Sequence, residues 1–231
     1  MTPAATGSTT DIDPFGPGQA RRFYDRFGER QDRQGWYEDA ALERLVALSR
    51  FETAHRVVEL GCGTGRLAAR LLAEHLPADA TYRGFDLSET MVELAAERLR
   101  AAAPRATVER VGGEPPLPVE DGGADRFVST YVLDLLSLQL IDRTLDDAHR
   151  VLEPGGLLCV AGITAGTGPV SRLLMATWSL VRRLRPTLVG GCRPLRVAPR
   201  LASDRWTLLH CERVAPWGLA SEVLVAARSG P

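Results

Sequence analysis

The chain has 231 residues, 45% of them hydrophobic and 25% charged, the proportions of an ordinary globular domain, which excludes wholesale disorder. Its 28 basic residues are balanced by 29 acidic ones, so no global field draws it to nucleic acid or to an acidic partner. Every basic residue is an arginine, which excludes Schiff-base chemistry, a pyridoxal phosphate anchor and a P-loop lysine.

Residues 1–17 are small, polar and rich in proline and glycine, and are expected to form a disordered leader to a single domain over 18–231. Phe23, Tyr24, Phe27, Trp36 and Tyr37 make the next stretch aromatic, and Leu42, Leu45 and Val46 then recur at helical spacing. An alternation follows. Arg56–Leu60 is a short β-branched run ending in glycines, Arg66–Leu76 is helical, Tyr82–Asp86 reads as a strand and Ser88–Ala103 as a helix with Ser88 as its N-cap. Thr107–Val111 and Asp125–Val132 are strands, Ile141–Leu152 is a helix stopped by Pro154-Gly155-Gly156, and Leu157–Ile163 is a buried strand. Such a sequence predicts an α/β, Rossmann-like, mostly parallel sheet with helices on both faces. Trp206–Val214 and Ser221–Ala227 are joined by a link too short for a crossover helix, so they are expected to pair antiparallel and complete seven strands.

The four cysteines, at 62, 159, 192 and 211, form no CxxC, and the histidines at 55, 75, 149 and 210 show no zinc spacing. The longest apolar run, Leu157–Ile163, is far below the ~20 residues of a membrane span. A reduced, soluble, cytoplasmic protein without a metal is the expectation.

The strongest signal is Val57-Val58-Glu59-Leu60-Gly61-Cys62-Gly63-Thr64-Gly65, a strand entering a glycine turn before a helix. Glycine permits positive φ and close ligand approach. A dinucleotide fingerprint reads GxGxxG, but here the third glycine comes one position early and Arg66 stands in the last place. The run ELGCGTG resembles motif I of the class I S-adenosylmethionine-dependent methyltransferases, and the similarity extends from about Asp25 to Arg228. Asp86 in Gly84-Phe85-Asp86-Leu87-Ser88, the stretch Arg150-Val151-Leu152-Glu153-Pro154-Gly155-Gly156 and the terminal strand pair fall in the family's order. Its quinone-, phospholipid- and small-molecule-modifying branch is the nearest in layout.

The resemblance implies S-adenosylmethionine as cofactor. It puts Gly61, Cys62, Gly63 and Gly65 under the methionine part, Glu59 beneath them at the methionyl end, and Asp86 on the ribose hydroxyls. It also implies that Leu87 and Met91 pack on the adenine, and that Thr130 and Tyr131 line the sulfur end. Where the family carries an Asp on the adenine amino group this chain has Gly113, so backbone groups or Glu114 must substitute.

Methyl transfer needs an aligned nucleophile and excluded water more than a fixed triad. Asp134, with Tyr131 just before it, follows the fourth strand, where open α/β sheets place ligands; it reads equally as a base near the acceptor or as an exposed acid at a helix start. His149, beside Asp146, Asp147 and Arg150, reads as part of a solvated face, and His210 as structural. Tyr24, Trp36 and Tyr37 fall in a region, 18–54, expected to act as a helical lid; stacking on substrate and plain helix packing explain them equally.

Residues 166–200 are expected to form an insertion near the substrate site. From Pro154 to Ser203 there are seven arginines and no acid. Val170, Leu173, Leu174, Thr177, Trp178, Val181 and Leu184 share one helical face, which suits a core, the roof of a pocket, or peripheral contact with an anionic membrane through 170–185. Gly190-Gly191-Cys192-Arg193 is either a nest for an anion or a loop. Trp178 and Arg193 are thus candidates for acceptor binding, with an apolar, negatively charged acceptor in view. The leading expectation is methyl transfer to a small or lipid-like molecule, with no nucleic-acid partner. The alternatives are an RNA or protein methyltransferase, a non-catalytic cofactor-binding protein and, against the glycine spacing, a nicotinamide oxidoreductase.

Overall fold

A computed structural model describes residues 25, 35–166, 168–184 and 192–230, with backbone alone for 36 and 182–184. Strands β1 (Arg56–Leu60), β2 (Thr81–Asp86), β3 (Ala106–Arg110), β4 (Ala124–Thr130), β5 (Leu152–Ile163), β6 (Trp206–Val214) and β7 (Ser221–Arg228) form one sheet in the order β3-β2-β1-β4-β5-β7-β6. β1 to β5 pair in parallel, and β7 runs against both β5 and β6. The direction of winding reverses between β1 and β4, and at such a point the carboxyl ends of the strands open a crevice.

Helices α1 (Gly35–Leu48), α2 (Arg66–Glu74) and α3 (Glu89–Arg98) cover one face, where Leu45, Leu71 and Ala95 join Val57, Cys159 and Val225 in a common core. On the other face α4 (Leu138–Val151) sets Ile141, Leu145 and Ala148 against Phe127, Leu158 and Leu224. The fifth helix, α5 (Pro169–Leu184), stands over a smaller cluster of Tyr37, Ile163, Met175, Cys192 and Ala220 at the carboxyl edge.

The amino edge is tied by two buried charges. Asp125 Oδ2 accepts the N–H groups of His55 (2.7 Å) and Arg56 (2.9 Å), fixing the start of β1. Arg126, inside the sheet, donates from Nε to Ser49 O (2.8 Å) and from a terminal nitrogen to Arg50 O (2.7 Å), satisfying carbonyls where α1 ends.

Three details differ from the expectations. β5 begins at Leu152, directly after α4, because Leu152 pairs with Ala124 before a register shift absorbs Pro154-Gly155-Gly156 and pairing resumes at Arg126 and Leu157. The helix after Ser88 closes at Arg98 and continues only as a 3-10 turn over Arg100–Ala102. His149 is buried, not solvated: it lies edge-on to Trp206 with ring centroids 5.3 Å apart, bonds Ser229 O at 3.1 Å, and is held below its ordinary pKa by desolvation. No helix among the described residues is long and apolar enough to cross a membrane.

Candidate active site

The glycine turn leaves β1 with Gly61, Gly63 and Gly65 at φ of 76°, 52° and 74°, a region that penalises any side chain. At Gly61 a Cβ would also lie 2.1 Å from Val132 Cγ2, so the exits of β1 and β4 touch at this point. Gly61 N and Cys62 N donate to Phe85 O at 2.7 and 3.2 Å, and Arg98 holds Thr64 through its carbonyl (2.9 Å) and hydroxyl (2.6 Å). The turn is therefore preformed.

Asp86, at the end of β2, accepts Gly63 N on Oδ2 and Ser88 N on Oδ1, each at 2.9 Å. The Leu87 N–H is also directed at this carboxylate, which still keeps acceptor capacity for a ligand hydroxyl. Ser88 caps α3 by accepting Met91 N at 3.3 Å and donates to Asp25 at 2.6 Å. Beneath the turn Glu59 is buried and accepts the Tyr82 hydroxyl at 2.6 Å; desolvation pushes its carboxyl from 4.5 up to about 7. Asp86 is raised for the same reason, against the pull of its N–H donors.

Leu87 faces Gly113, whose bare α-carbon (φ 82°) would place a Cβ 3.2 Å from the Leu87 side chain. Gly113 and Glu114 line a shallow surface crevice with Leu60, Val111, Leu117 and Phe127. Glu114 pairs with Arg143 at 3.1 Å. Met91 is fully buried in the core of α3. The remaining acceptor capacity of Asp86 and the glycine cradle beside it suit an adenosyl group.

A second set of side chains gathers where β4 and β5 end. Tyr131, half-buried beside Thr130, takes a left-handed φ of 56° and donates its N–H to Ala161 O at 2.7 Å. Its hydroxyl shares a 2.9 Å hydrogen bond with Ser221, and its ring meets Tyr37 edge-on at 5.9 Å. Tyr37 in turn meets Trp178 at 6.4 Å, and the Trp178 indole donates to Cys192 O at 3.0 Å. Asp134 is only 2% exposed; Oδ2 accepts Ile163 N at 3.0 Å, while Oδ1 has no oxygen or nitrogen donor. Burial pushes its carboxyl from 3.8 to about 6, with the Cys192 thiol beside it and Arg193 pulling the other way. Arg193 binds the same turn, its backbone N–H donating to Asp134 O (3.0 Å) and its guanidinium to Leu136 O (2.5 Å).

Residues 57–156 match the family model described as a methyltransferase domain. Over these residues the chain resembles the class I S-adenosylmethionine-dependent methyltransferases. It is 29% identical over 191 residues to a malonyl-[acyl-carrier protein] O-methyltransferase of Pectobacterium atrosepticum, covering 78% of this chain and 66% of that one. To a demethylmenaquinone methyltransferase of Symbiobacterium thermophilum it is 28% identical over 142 residues, covering 59% and 55%. The chain thus spans between half and two thirds of the length of these curated relatives. In fold it is similar to the [4+2]-cyclase SpnF, with a TM-score of 0.64 and 17% identity over 84% of this chain and 82% of that one.

Of the residues expected from the resemblance, Glu59, Gly61, Cys62, Gly63, Gly65 and Asp86 come together at the carboxyl ends of β1 and β2, with Leu87, Gly113 and Glu114 to one side. Tyr37, Tyr131, Asp134, Trp178 and Arg193 meet in the second cluster. Asp134 is not the exposed helix-start acid, because the strap over residues 192–197 covers it. Tyr24, Arg185, Gly190 and Gly191 lie outside the described residues, as do the side chains of Trp36, Arg182 and Arg183.

Two members of the cluster were not anticipated. Glu38, in the first turn of α1, is buried and its carboxyl rises from 4.5 to about 7, chiefly by desolvation, with Asp134 and Asp39 adding to the rise. The Tyr37 hydroxyl and Arg66, 3.7 Å away, oppose it. Its position was legible: Glu38, Ala41, Leu42 and Leu45 share one helical face, so an acid stands on an apolar stripe. Cys192 is buried between both acids, which with desolvation drive its thiol upward. No short-range pattern points to that residue.

Proposed function

We propose that this protein is an enzyme that transfers the methyl group of S-adenosylmethionine to a small or lipid-like acceptor at the carboxyl ends of β4 and β5. The observation that carries the reading is the contact of Gly61 with Val132, which sets the glycine turn and Asp86 directly beside the acid and aromatic cluster. When bound, the cofactor supplies an activated sulfonium methyl. In this reading Asp86 holds the ribose, Glu59 and the glycine turn hold the methionine part, Leu87, Gly113 and Glu114 border the adenine, and Thr130 and Tyr131 border the sulfur.

Tyr37 and Trp178 then shape the acceptor site, and Asp134 takes a proton from an acceptor hydroxyl as the methyl–oxygen bond forms and the carbon–sulfur bond breaks. A carboxyl near 6 is mostly ionised at neutral pH yet basic enough to accept that proton. The first turn of α1 and the inward side of α5 serve as the roof. Relatives named for demethylmenaquinone and for a malonylated carrier protein support an acceptor of this class.

The test is calorimetry with S-adenosylhomocysteine and with NAD, followed by incubation of a cell extract with methyl-labelled cofactor. S-adenosylhomocysteine is expected to bind and NAD not, with label entering the small-molecule or lipid fraction. Label in RNA or protein would move the acceptor to another class. Binding without any labelled product would make this a non-catalytic member of its family, and NAD binding alone would overturn the reading altogether.

A further inference from the structure

Helix α5 turns the wrong way for a helix that builds a core. Its inward side carries Ser171 and Met175, both buried, and half-buried Trp178. Much of the apolar stripe lies toward solvent instead: Val170 is 69% exposed, Leu173 71% and Leu180 57%, and Leu174 is exposed beside them. The stripe continues onto a second element. Ser171 Oγ donates to Gly218 O at 2.8 Å, and a Cβ at Gly218 would lie 2.5 Å from Leu174 Cδ1, so the β6–β7 turn abuts the helix. That turn holds Trp217 at φ 54° and 82% exposed. An apolar surface assembled from two elements and left in water marks a binding face rather than scattered exposure.

The charge around it selects the partner. The stretch Pro154–Ser203 contains seven arginines and no acid. Among the described residues Arg193 is engaged on Leu136 O and Arg200 on Asp142 at 2.8 Å, Arg196 lies toward Cys211 of β6, and Arg172 is exposed on α5 itself; the side chains of Arg182, Arg183 and Arg185 lie outside the described residues. A second copy packed on this face by two-fold symmetry would oppose one arginine-rich stretch to another. An anionic bilayer satisfies both features, taking leucine and indole side chains at the acyl boundary and guanidinium groups at the headgroups.

We propose that the outer face of α5, with Trp217, docks this protein on an anionic lipid surface. The inference is independent of which acceptor is methylated and of whether transfer occurs at all. The experiment is co-sedimentation of the full chain with phosphatidylcholine vesicles, with and without phosphatidylglycerol, at low and high salt. Binding is expected with phosphatidylglycerol, about tenfold weaker or more on neutral vesicles, and weakened by salt.

The double variant Leu173→Ser, Trp217→Ser should lower vesicle binding about tenfold or more, and Arg172→Glu severalfold. Because these side chains are exposed, S-adenosylhomocysteine affinity and the unfolding midpoint should match those of the unaltered chain. No binding to phosphatidylglycerol vesicles overturns the proposal, as does equal binding to neutral ones. So does wild-type binding by the double variant. A dimer in sedimentation equilibrium that Leu173→Ser dissociates would assign the face to a second copy instead.

Discussion

At the amino edge of the sheet, Arg126 gives all three guanidinium nitrogens to Ser49, Asp125 and Arg50 carbonyls and to the Thr53 hydroxyl, while Asp125 takes two backbone N–H groups. At the carboxyl edge, Glu38, Glu59 and Asp134 are just as deeply buried, yet burial outweighs their donors and lifts each carboxyl toward neutrality. At the amino edge the guanidinium is saturated with partners and ties α1 to the sheet, while Asp125 keeps one oxygen 3.5 Å from Arg126 without a hydrogen bond. A carboxyl whose desolvation outweighs its donors costs stability and gains proton affinity in the range where chemistry runs, and that separates the carboxyl edge from the amino edge.

The largest effect should come from the amino edge. Arg126→Met keeps the volume but strands three carbonyls and leaves Asp125 uncompensated, so urea unfolding should show a loss of about 3–5 kcal/mol. A loss below ~1 kcal/mol would erase the contrast. Asp134→Asn, tested with the labelled acceptor, should lower turnover about a hundredfold and remove a pH–rate limb near 6, while S-adenosylhomocysteine affinity stays fixed. Equal loss of both would move Asp134 into the cofactor site.

Glu59 sharpens the comparison through pH. Its folded carboxyl binds a proton more tightly than the unfolded one, so its contribution to stability is complete below about 4.5 and is lost as pH rises through about 7. The total loss across that window is about 2–3 kcal/mol, and Glu59→Gln should flatten the corresponding part of the stability–pH curve. An unchanged slope would mean that the carboxyl is ionised in place. The smallest effect is expected at Asp86, where Asp86→Ala should weaken S-adenosylhomocysteine binding by about 1.5–3 kcal/mol by calorimetry.

What could be read from the chain divides along a physical line. All seven strands were legible, because β-branched runs such as Arg56–Leu60 are bounded by glycine or proline, and the six-residue link before β7 left no room for a crossover. The glycine turn and Asp86 were legible because a ligand-binding backbone demands particular residues at fixed spacing. Helix α5 was found with its stripe, but periodicity reports which residues share a face, not whether core or solvent receives it. His149 was misread from its charged neighbours, although Ile141, Leu145 and His149 are spaced at i, i+4 and i+8, the spacing of a buried face. The burial of Asp134 was not legible at all, since it depends on a strap some sixty residues away in the chain.

Strand β6 closes the sheet with an open edge nine residues long, carrying exposed Leu208 and Leu209. Such an edge offers unpaired N–H and carbonyl groups to any other extended chain. Here the register with β7 slips between Leu208 and His210, which breaks the regular ladder, and Glu212 and Arg213 put charge on the remainder. The opposite edge, β3, is only five residues long and ends on Glu109 and Arg110. The irregularity in β6 thus works against polymerisation: among the described residues it leaves the long edge strand uneven as a template for growth of the sheet into a fibre, and a substitution that straightened it would trade solubility for regularity.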